Sequence, residues 1–395
     1  MDSPLHGIKV VDFGQYVAAP GAGALLRNLG AEVVKVEPYE GEAARFIGSW
    51  GDGVLRAYNR GKHSIALNLR EPAGVKVAKR LAGSADVLIQ NMRPGGMARL
   101  GLGAETLREL NPRLVYATVT GFGTQGPSRH RAGLDIAAQA ESGMMSLTGE
   151  LGGDPLRVGF AVVDATTAHA LAQAILAALF ARERSGVGSN VEISLLDVAV
   201  HLQAPNWAES FRTGTTPVRN GNGQPTIAPA AELVRTADGH IVLSAYSAAH
   251  WRTLCGLIGR EDLASDARFV DNPSRVAHRA ELRAVLDDAF SKLSSEKCVE
   301  WLSNNGLVVG AVRSYPQVRA AADVRAGEIF GMAPDEDGRA EEYLSTPYFF
   351  DGSRLPVKVP APRRGEHSVR VLRGSGFTDE QIEDLIAAKV VYAGE

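Results

Sequence analysis

Five short apolar runs lie within the first 120 residues, and helical stretches separate them: Ile8-Lys-Val-Val-Asp-Phe13, Glu32-Val-Val-Lys-Val-Glu37, Ser64-Ile-Ala-Leu-Asn68, Val87-Leu-Ile-Gln90 and Leu114-Val-Tyr-Ala-Thr-Val-Thr120. Runs this short and this apolar read as buried strands. Strands that alternate with helices pair in parallel, because each helix serves as the crossover. The pattern predicts an α/β fold with a doubly wound, mostly parallel sheet. The first unit shows the local signals. Pro20 sits where a first helical turn tolerates it, Leu25, Leu26 and Leu29 follow, and Gly30 ends the helix.

In such sheets ligands bind beyond the carboxyl ends of the strands. The loops at 14–19, 38–48, 91–99 and 121–135 all leave strand ends, so they are expected to line one cleft. Glu37 invites a dinucleotide reading, as the acid that would bind a ribose. Gly14, Gly21 and Gly23 argue against it, since they do not make G-x-G-x-x-G. Arg70, Arg93 and Arg99 follow strand ends. Arginines suit phosphate, so these three fit either a polyphosphate ligand such as an ADP moiety or a solvated surface.

The stretch Gly159-Phe-Ala-Val-Val-Asp-Ala-Thr-Thr-Ala-His169 carries the most chemistry. A strand-like run leads to Asp164, and Leu171, Ile175, Ala178, Leu179 and Arg182 then recur at helical spacing. Asp164 is therefore expected at or near a helix N-cap. There it is either a plain capping residue or a carboxylate nucleophile kept ionised by the helix dipole. His169 reads as a packed histidine.

Beyond it, Val191–Leu196 reads as a strand leading into Asp197, and 211–229 as a Gly-, Asn-, Thr- and Pro-rich linker. Residues 232–244 form a hairpin with an Asp238-Gly239 turn, and Trp251 and Trp301 are core residues of a second unit. Residues 310–327 read as helical, 335–364 as polar and Pro-rich, and Asp379–Lys389 as a closing helix.

With 395 residues the chain has ample core for two or three domain-sized units. A net charge of −3 argues against nucleic acid or an acidic membrane as the main partner. Cys255 and Cys298 fit no metal spacing and read as reduced thiols of a cytoplasmic protein. The N-terminus lacks a signal-peptide pattern, and no uninterrupted apolar run reaches the ~18 residues of a span, so no membrane is expected. Metal, P-loop and nucleophile-elbow motifs are absent from the sequence.

Leu5-His-Gly-Ile-Lys-Val-Val-Asp-Phe13, Ala18-Ala-Pro20, Leu29-Gly-Ala31, Val36-Glu37, Asn59-Arg-Gly-Lys-His-Ser-Ile-Ala-Leu67 and Asp86–Asn91 follow one another along the chain. Together these ordered motifs resemble the family III CoA-transferases, which include formyl-CoA transferase, carnitine CoA-transferase and the α-methylacyl-CoA racemases. Arg93-Pro-Gly95, Leu110–Leu114, the Asp164 segment and Gly365-Glu-His367 extend the likeness over nearly the whole chain. The resemblance implies a Rossmann-like large domain built from both chain ends, a smaller α+β domain, and an interlocked homodimer. In that frame 1–205 is the N-terminal part of the large domain and 206–230 the linker and glycine loop. Residues 231–327 form the small domain, and 328–395 the return connection and the rest of the large domain.

It also implies an activity: transfer of CoA from an acyl-CoA to a free carboxylic acid, with Asp164 as nucleophile. No tightly bound cofactor and no metal are expected, CoA being substrate and product. The expected CoA contacts are Val17, Ala18, Leu67, Arg70, Asn91, Met92, Arg93, Arg99 and Asp135. Pro38 replaces an arginine found in formyl-CoA transferase, and Gly221, Gly223 and Gln224 resemble its glycine loop, which covers the acyl-aspartate. One rival is an acyl-CoA racemase, whose histidine slot is here Leu134, with His130 as the only substitute nearby. The other is a CoA-binding protein without catalysis.

Overall fold

Val10 and Val11, adjacent on one strand, are buried in two different cores. That alternation repeats across a seven-stranded sheet in the computed structural model, which describes residues 3–223, 231–355 and 358–394. Its strands are β1 (Lys9–Asp12), β2 (Glu32–Pro38), β3 (His63–Leu67), β4 (Val87–Gln90), β5 (Val115–Thr120) and β6 (Asn190–Ser194). These six are parallel, in the order 3-2-1-4-5-6. The order reverses at β1, where Val10 pairs with Val33 on one side and Val87 on the other. Val87, Ile89, Val115 and Ala117 face the first core, while Leu88 and Tyr116 face the second. A sheet apolar on both faces requires helices on both.

Helices Ala18–Asn28 and Val162–Ser185 cover the first face, burying Leu26, Leu171 and Ile175. Each such side chain contributes roughly 1.5–3 kcal/mol of burial free energy. The two helices approach closely. A Cβ on Gly21 would stand 2.7 Å from that of Ala168, so only glycine fits there. Helix Pro72–Gly83 and the C-terminal helices Ser368–Gly374 and Asp379–Ala387 cover the second face, through Val77, Leu81, Leu372 and Ile382.

Helix Val162–Ser185 is long and apolar enough to cross a membrane by length and composition alone; here Leu171, Ile175 and Leu179 pack in the first core. Gln173 does not interrupt it, and Arg182 is buried in it, pairing with Asp86 at 2.9 Å.

The described chain divides into two compact units. The first holds 1–144, 158–207 and 327–395, and so joins both chain ends; the second holds 145–157 and 208–326. In the second, β7 (Ala231–Arg235), β8 (His240–Ser244) and β9 (Val308–Ala311) form an antiparallel sheet. Its core packs Trp251, Leu254, Phe269, Leu286 and Phe290. Strand β9 takes the first two residues of the stretch 310–327 that reads as helical, and the helices Tyr315–Ala320 and Ala322–Ala326 occupy most of the rest.

In the first unit, β10 (Phe330–Pro334) and β11 (Ala340–Leu344) form a hairpin, and β11 lies within the stretch read as polar and Pro-rich. Arg56 holds it through Glu336 and Glu341, and Arg60 pairs with Glu341 too. Two adjacent glutamates on β11, Glu341 and Glu342, the first of them used in these ion pairs, hide the strand from an apolar-pattern search. The chain then returns to the main sheet. Two residues of β12 (Val391–Tyr392) add to the free edge of β3, antiparallel.

Candidate active site

Asp164 is the third residue of helix Val162–Ser185 rather than its N-cap. The strand-like run before it is not a strand: Val158–Ala161 is irregular, and its apolar residues lead straight into the helix. The N-cap is Ala161, which has no side-chain acceptor. Helix starts leave N–H groups unpaired, and here a second aspartate supplies the acceptor. Oδ2 of Asp135 accepts from the N–H groups of Val163 at 2.8 Å and Asp164 at 3.1 Å. Asp135 opens the helix Asp135–Glu141, and its Oδ1 accepts from Nε2 of Gln139 at 2.5 Å. Gln139 Oε1 in turn accepts from the N–H of Val158 at 2.9 Å.

The Asp164 carboxyl is half-buried. Burial pushes its pKa up to about 7, and the neighbouring Asp135 carboxylate adds to the rise. The expectation that the helix dipole holds Asp164 firmly ionised is therefore corrected: desolvation and a like charge outweigh the dipole. Tyr58, from helix Gly48–Asn59, lies within electrostatic reach. Burial and the Asp164 charge both raise its pKa.

A groove of ≈ 460 Å³ lies beyond the carboxyl ends of four neighbouring strands. Phe13 and Gln15 line it after β1, Tyr39 and Glu40 after β2, Asn68–Arg70 after β3, and Met92 and Leu100 after β4. Its apolar walls of Phe13, Val36, Leu67 and Leu69 suit a flat ring, and Arg70 stands at the exposed rim. The strand-end loops at 14–19, 38–48 and 91–99 each bring residues to this groove, as the alternation predicts, whereas the loop at 121–135, expected with them, contributes none of its lining residues.

Of the residues expected to touch the ligand, the groove brings together Leu67, Arg70 and Met92, with Pro38 beside them. Val17 and Ala18 turn their side chains into the core, leaving only backbone for a ligand. Asn91 clamps the backbone of Gln15, donating to its carbonyl and accepting from its N–H, both at 2.9 Å. Arg93 is exposed on the loop after β4 and Arg99 at the end of the short helix Gly96–Arg99 that follows it, and Asp135 is buried in the cap just described. In the second unit, Gly221 adopts a positive φ of 59°. Gly223 lies against the guanidinium of Arg279, so a side chain there would have to push that arginine aside. Gln224 lies outside the described residues.

A buried ionic network sits beneath the loop after β1. Lys62 Nζ donates to Asp12 Oδ2 at 2.8 Å, to the Pro20 carbonyl at 2.8 Å and to Asn59 at 3.0 Å. Lys35 pairs with Glu42 at 2.6 Å and donates to the Gly14 carbonyl at 2.8 Å. Glu37 is taken up by Arg45 and by Ser64 Oγ at 2.7 Å, so neither of its oxygens is available to a ribose. Sequence reading missed this network, along with Tyr58 and Gln139. For Gln139 a signal existed: it lies one helical turn after Asp135. Among the described residues, no cluster of three His, Cys, Asp or Glu could hold a metal ion.

Comparison with known proteins bears on this arrangement. The profile of CoA-transferase family III matches residues 5–368. The chain is 36% identical to a succinate–glutarate CoA-transferase of Agrobacterium fabrum, over 93% of this chain and 95% of that protein. It is 40% identical to a probable fatty acyl-CoA transferase of Mycobacterium tuberculosis, over 92% and 96%. The crystal structure of a CAIB/BAIF family protein from Brucella suis superposes with a TM-score of 0.86 at 33% identity, covering 95% of this chain and 100% of that one.

Proposed function

The chain belongs to the family III CoA-transferases, and on that premise we propose that it moves CoA between carboxylic acids through covalent intermediates on Asp164. The observation that carries this reading is Asp164 itself. It is a half-buried carboxylate in a helix first turn, with a pKa of about 7, in the unit that holds the strand-end groove.

The ionised carboxylate attacks the thioester carbonyl, the C–S bond breaks, and CoA thiolate leaves behind a mixed anhydride. The thiolate attacks the Asp164 carbonyl of that anhydride and expels the donor acid as its carboxylate. An acceptor carboxylate then attacks the aspartyl-CoA thioester, CoA thiolate leaves again, and its attack on the acceptor carbonyl frees Asp164. Every step exchanges one acyl bond for another, so the acyl group stays activated and no water is consumed. A serine in this place would form an ordinary ester and lose most of that activation. The helix N-terminus offers partial positive charge to the developing oxyanions.

The groove suits the nucleotide end of CoA, with the adenine between apolar walls and Arg70 reaching phosphate. CoA is then substrate and product rather than a resident cofactor. Relatives named for succinate, glutarate, mesaconate and oxalate suggest small organic acids as partners. A homodimer interlocked through the large unit, working in the cytoplasm without a membrane, completes the reading.

The test is incubation with acyl-CoA, without acceptor acid, followed by hydroxylamine. Trapping a hydroxamate on Asp164, and losing it in Asp164→Ala, supports the proposal. No trapped enzyme with any of a panel of acyl-CoA esters would end it.

A further inference from the structure

A carboxylate is an odd choice for the group that caps the Asp164 helix. Asn and Ser cap as well as Asp, each contributing about 0.5–2 kcal/mol over Ala. Either would leave Asp164 without a like charge at its side. The dyad is also unusually well fixed. Asp135 and Gln139 are 6% and 0% exposed, so water does not replace their contacts. Gln139 holds Val158, and Asp135 holds Val163 and Asp164, so the whole approach to Asp164 is tied at both ends.

We propose that Asp135, braced by Gln139, is a positioning residue that fixes the start of the Asp164 helix and, through its charge, drives Asp164 from free carboxylate to aspartyl-CoA thioester. This rests on the covalent reading above. When Asp164 is free and ionised, its half-buried charge lies within electrostatic reach of Asp135, which accepts from the Asp164 backbone N–H. Forming the thioester removes the Asp164 charge and leaves Asp135 with its two N–H donors and Gln139. Exchange of acyl-CoA plus free Asp164 for aspartyl-CoA plus free acid conserves charge and atoms. It moves the negative charge from the buried aspartate to a departing, solvated acid. Burial raises the Asp164 pKa most, and the Asp135 charge adds to that rise. The other titratable group facing Asp164 is Tyr58, on a different helix, and a neutral phenol does not compete for this role.

The experiment compares wild type with Asp135→Asn, which keeps an oxygen for the cap and removes the charge. The protein is equilibrated with an acyl-CoA and its free acid at fixed ratio, and enzyme-bound CoA is read by intact mass. The carboxyl carbon of Asp164, assigned by its absence in Asp164→Asn, is titrated by ¹³C NMR. We expect the ratio of aspartyl-CoA to free enzyme to fall by on the order of tenfold in Asp135→Asn, the change that accompanies one pKa unit. The Asp164 titration should move down with it. An unchanged ratio with an unchanged titration would overturn the proposal. If wild type forms no aspartyl-CoA at all, the covalent reading fails. The titration then still decides whether Asp135 acts on Asp164: a lower midpoint upholds that half and an unmoved one removes it. Asp135→Ser, also a capping residue without charge, stands in if the Asn variant does not fold, with the same expectations.

Discussion

The backbone N–H of Asp164 donates to the side chain of Asp135 at 3.1 Å. One aspartate thus builds the helix start on which the other stands, and the two carboxylates are held near each other as a consequence. The arrangement is costly in the resting protein, and that cost gives the first prediction.

Asp164 has a folded pKa of about 7 against an ordinary value of 3.8. A carboxyl raised on folding binds its proton more tightly in the folded state, so stability falls as pH rises through that window. The cost is absent below about pH 4 and complete above about pH 7; at about 1.36 kcal/mol per unit it amounts to a few kcal/mol. Asp164→Asn should therefore raise the urea midpoint at pH 8 and leave it nearly unchanged at pH 4, while CoA transfer disappears. Equal stabilisation at both pH values would show that Asp164 is not buried at cost.

Arg70 tests the groove. It stands at the rim of the strand-end groove that the proposed function gives to the nucleotide end of CoA. A charge-assisted phosphate contact contributes about 1.5–3 kcal/mol, so Arg70→Ala should raise KM for the CoA ester roughly ten- to a hundredfold with a smaller change in kcat. Arg99→Ala, at the end of the neighbouring short helix, should act in the same direction. Steady-state kinetics at fixed salt decide it, and an unmoved KM for both would take the nucleotide out of this groove.

Much of the sheet was legible because β1 to β5 bury residues on both faces, and an apolar run bounded by Gly or Pro has few other uses; β6 buries little and shows an alternating pattern instead. β11 and β12 were not legible. The first is polar because it works through ion pairs, and the second has two residues and exists only because β3 has a free edge. The motifs that carry the family resemblance turn out to be largely structural. Asp12, Lys62, Glu37 and Ser64 come from three separate motifs and meet in buried ion pairs and hydrogen bonds. Gly365 and His367 dock the returning chain on Ser64, through bonds of 2.8 and 2.9 Å. Spacing could place Asp164 on a helix start. It could not show that the cap comes from Asp135, because that contact spans 29 residues and two helices.

Lys62 gives a stability test of the network under the loop. Burial lowers its pKa to about 8, against the attraction of Asp12. Asp12 is itself fully buried; burial would raise it, but Lys62 and Lys35 hold it below its ordinary value. Removing one partner of a buried pair leaves the other uncompensated, at about 3–5 kcal/mol. Lys62→Met should cost that much in urea unfolding at pH 7, and adding Asp12→Asn should recover part of it. A loss under about 1 kcal/mol, the scale of an exposed pair, would mean the pair is solvated.

The last prediction separates transfer from racemisation. Inverting an α-carbon needs a base on one face and an acid on the other. Asp164 can serve one face. In the slot where a racemase keeps its histidine stands Leu134, which is 62% exposed and ends an extended stretch before helix Asp135–Glu141. His130 is exposed, and its Nε2 accepts from Arg129 at 3.1 Å, so its basic nitrogen is engaged on the surface. An α-methylacyl-CoA incubated in D₂O without acceptor acid should keep both its configuration and its α-hydrogen. A suitable free acid should then start CoA exchange, still without deuterium at the α-carbon. Deuterium uptake with loss of optical activity, at a rate matching CoA exchange, would falsify the transferase assignment and require a second base that the geometry around Asp164 does not supply.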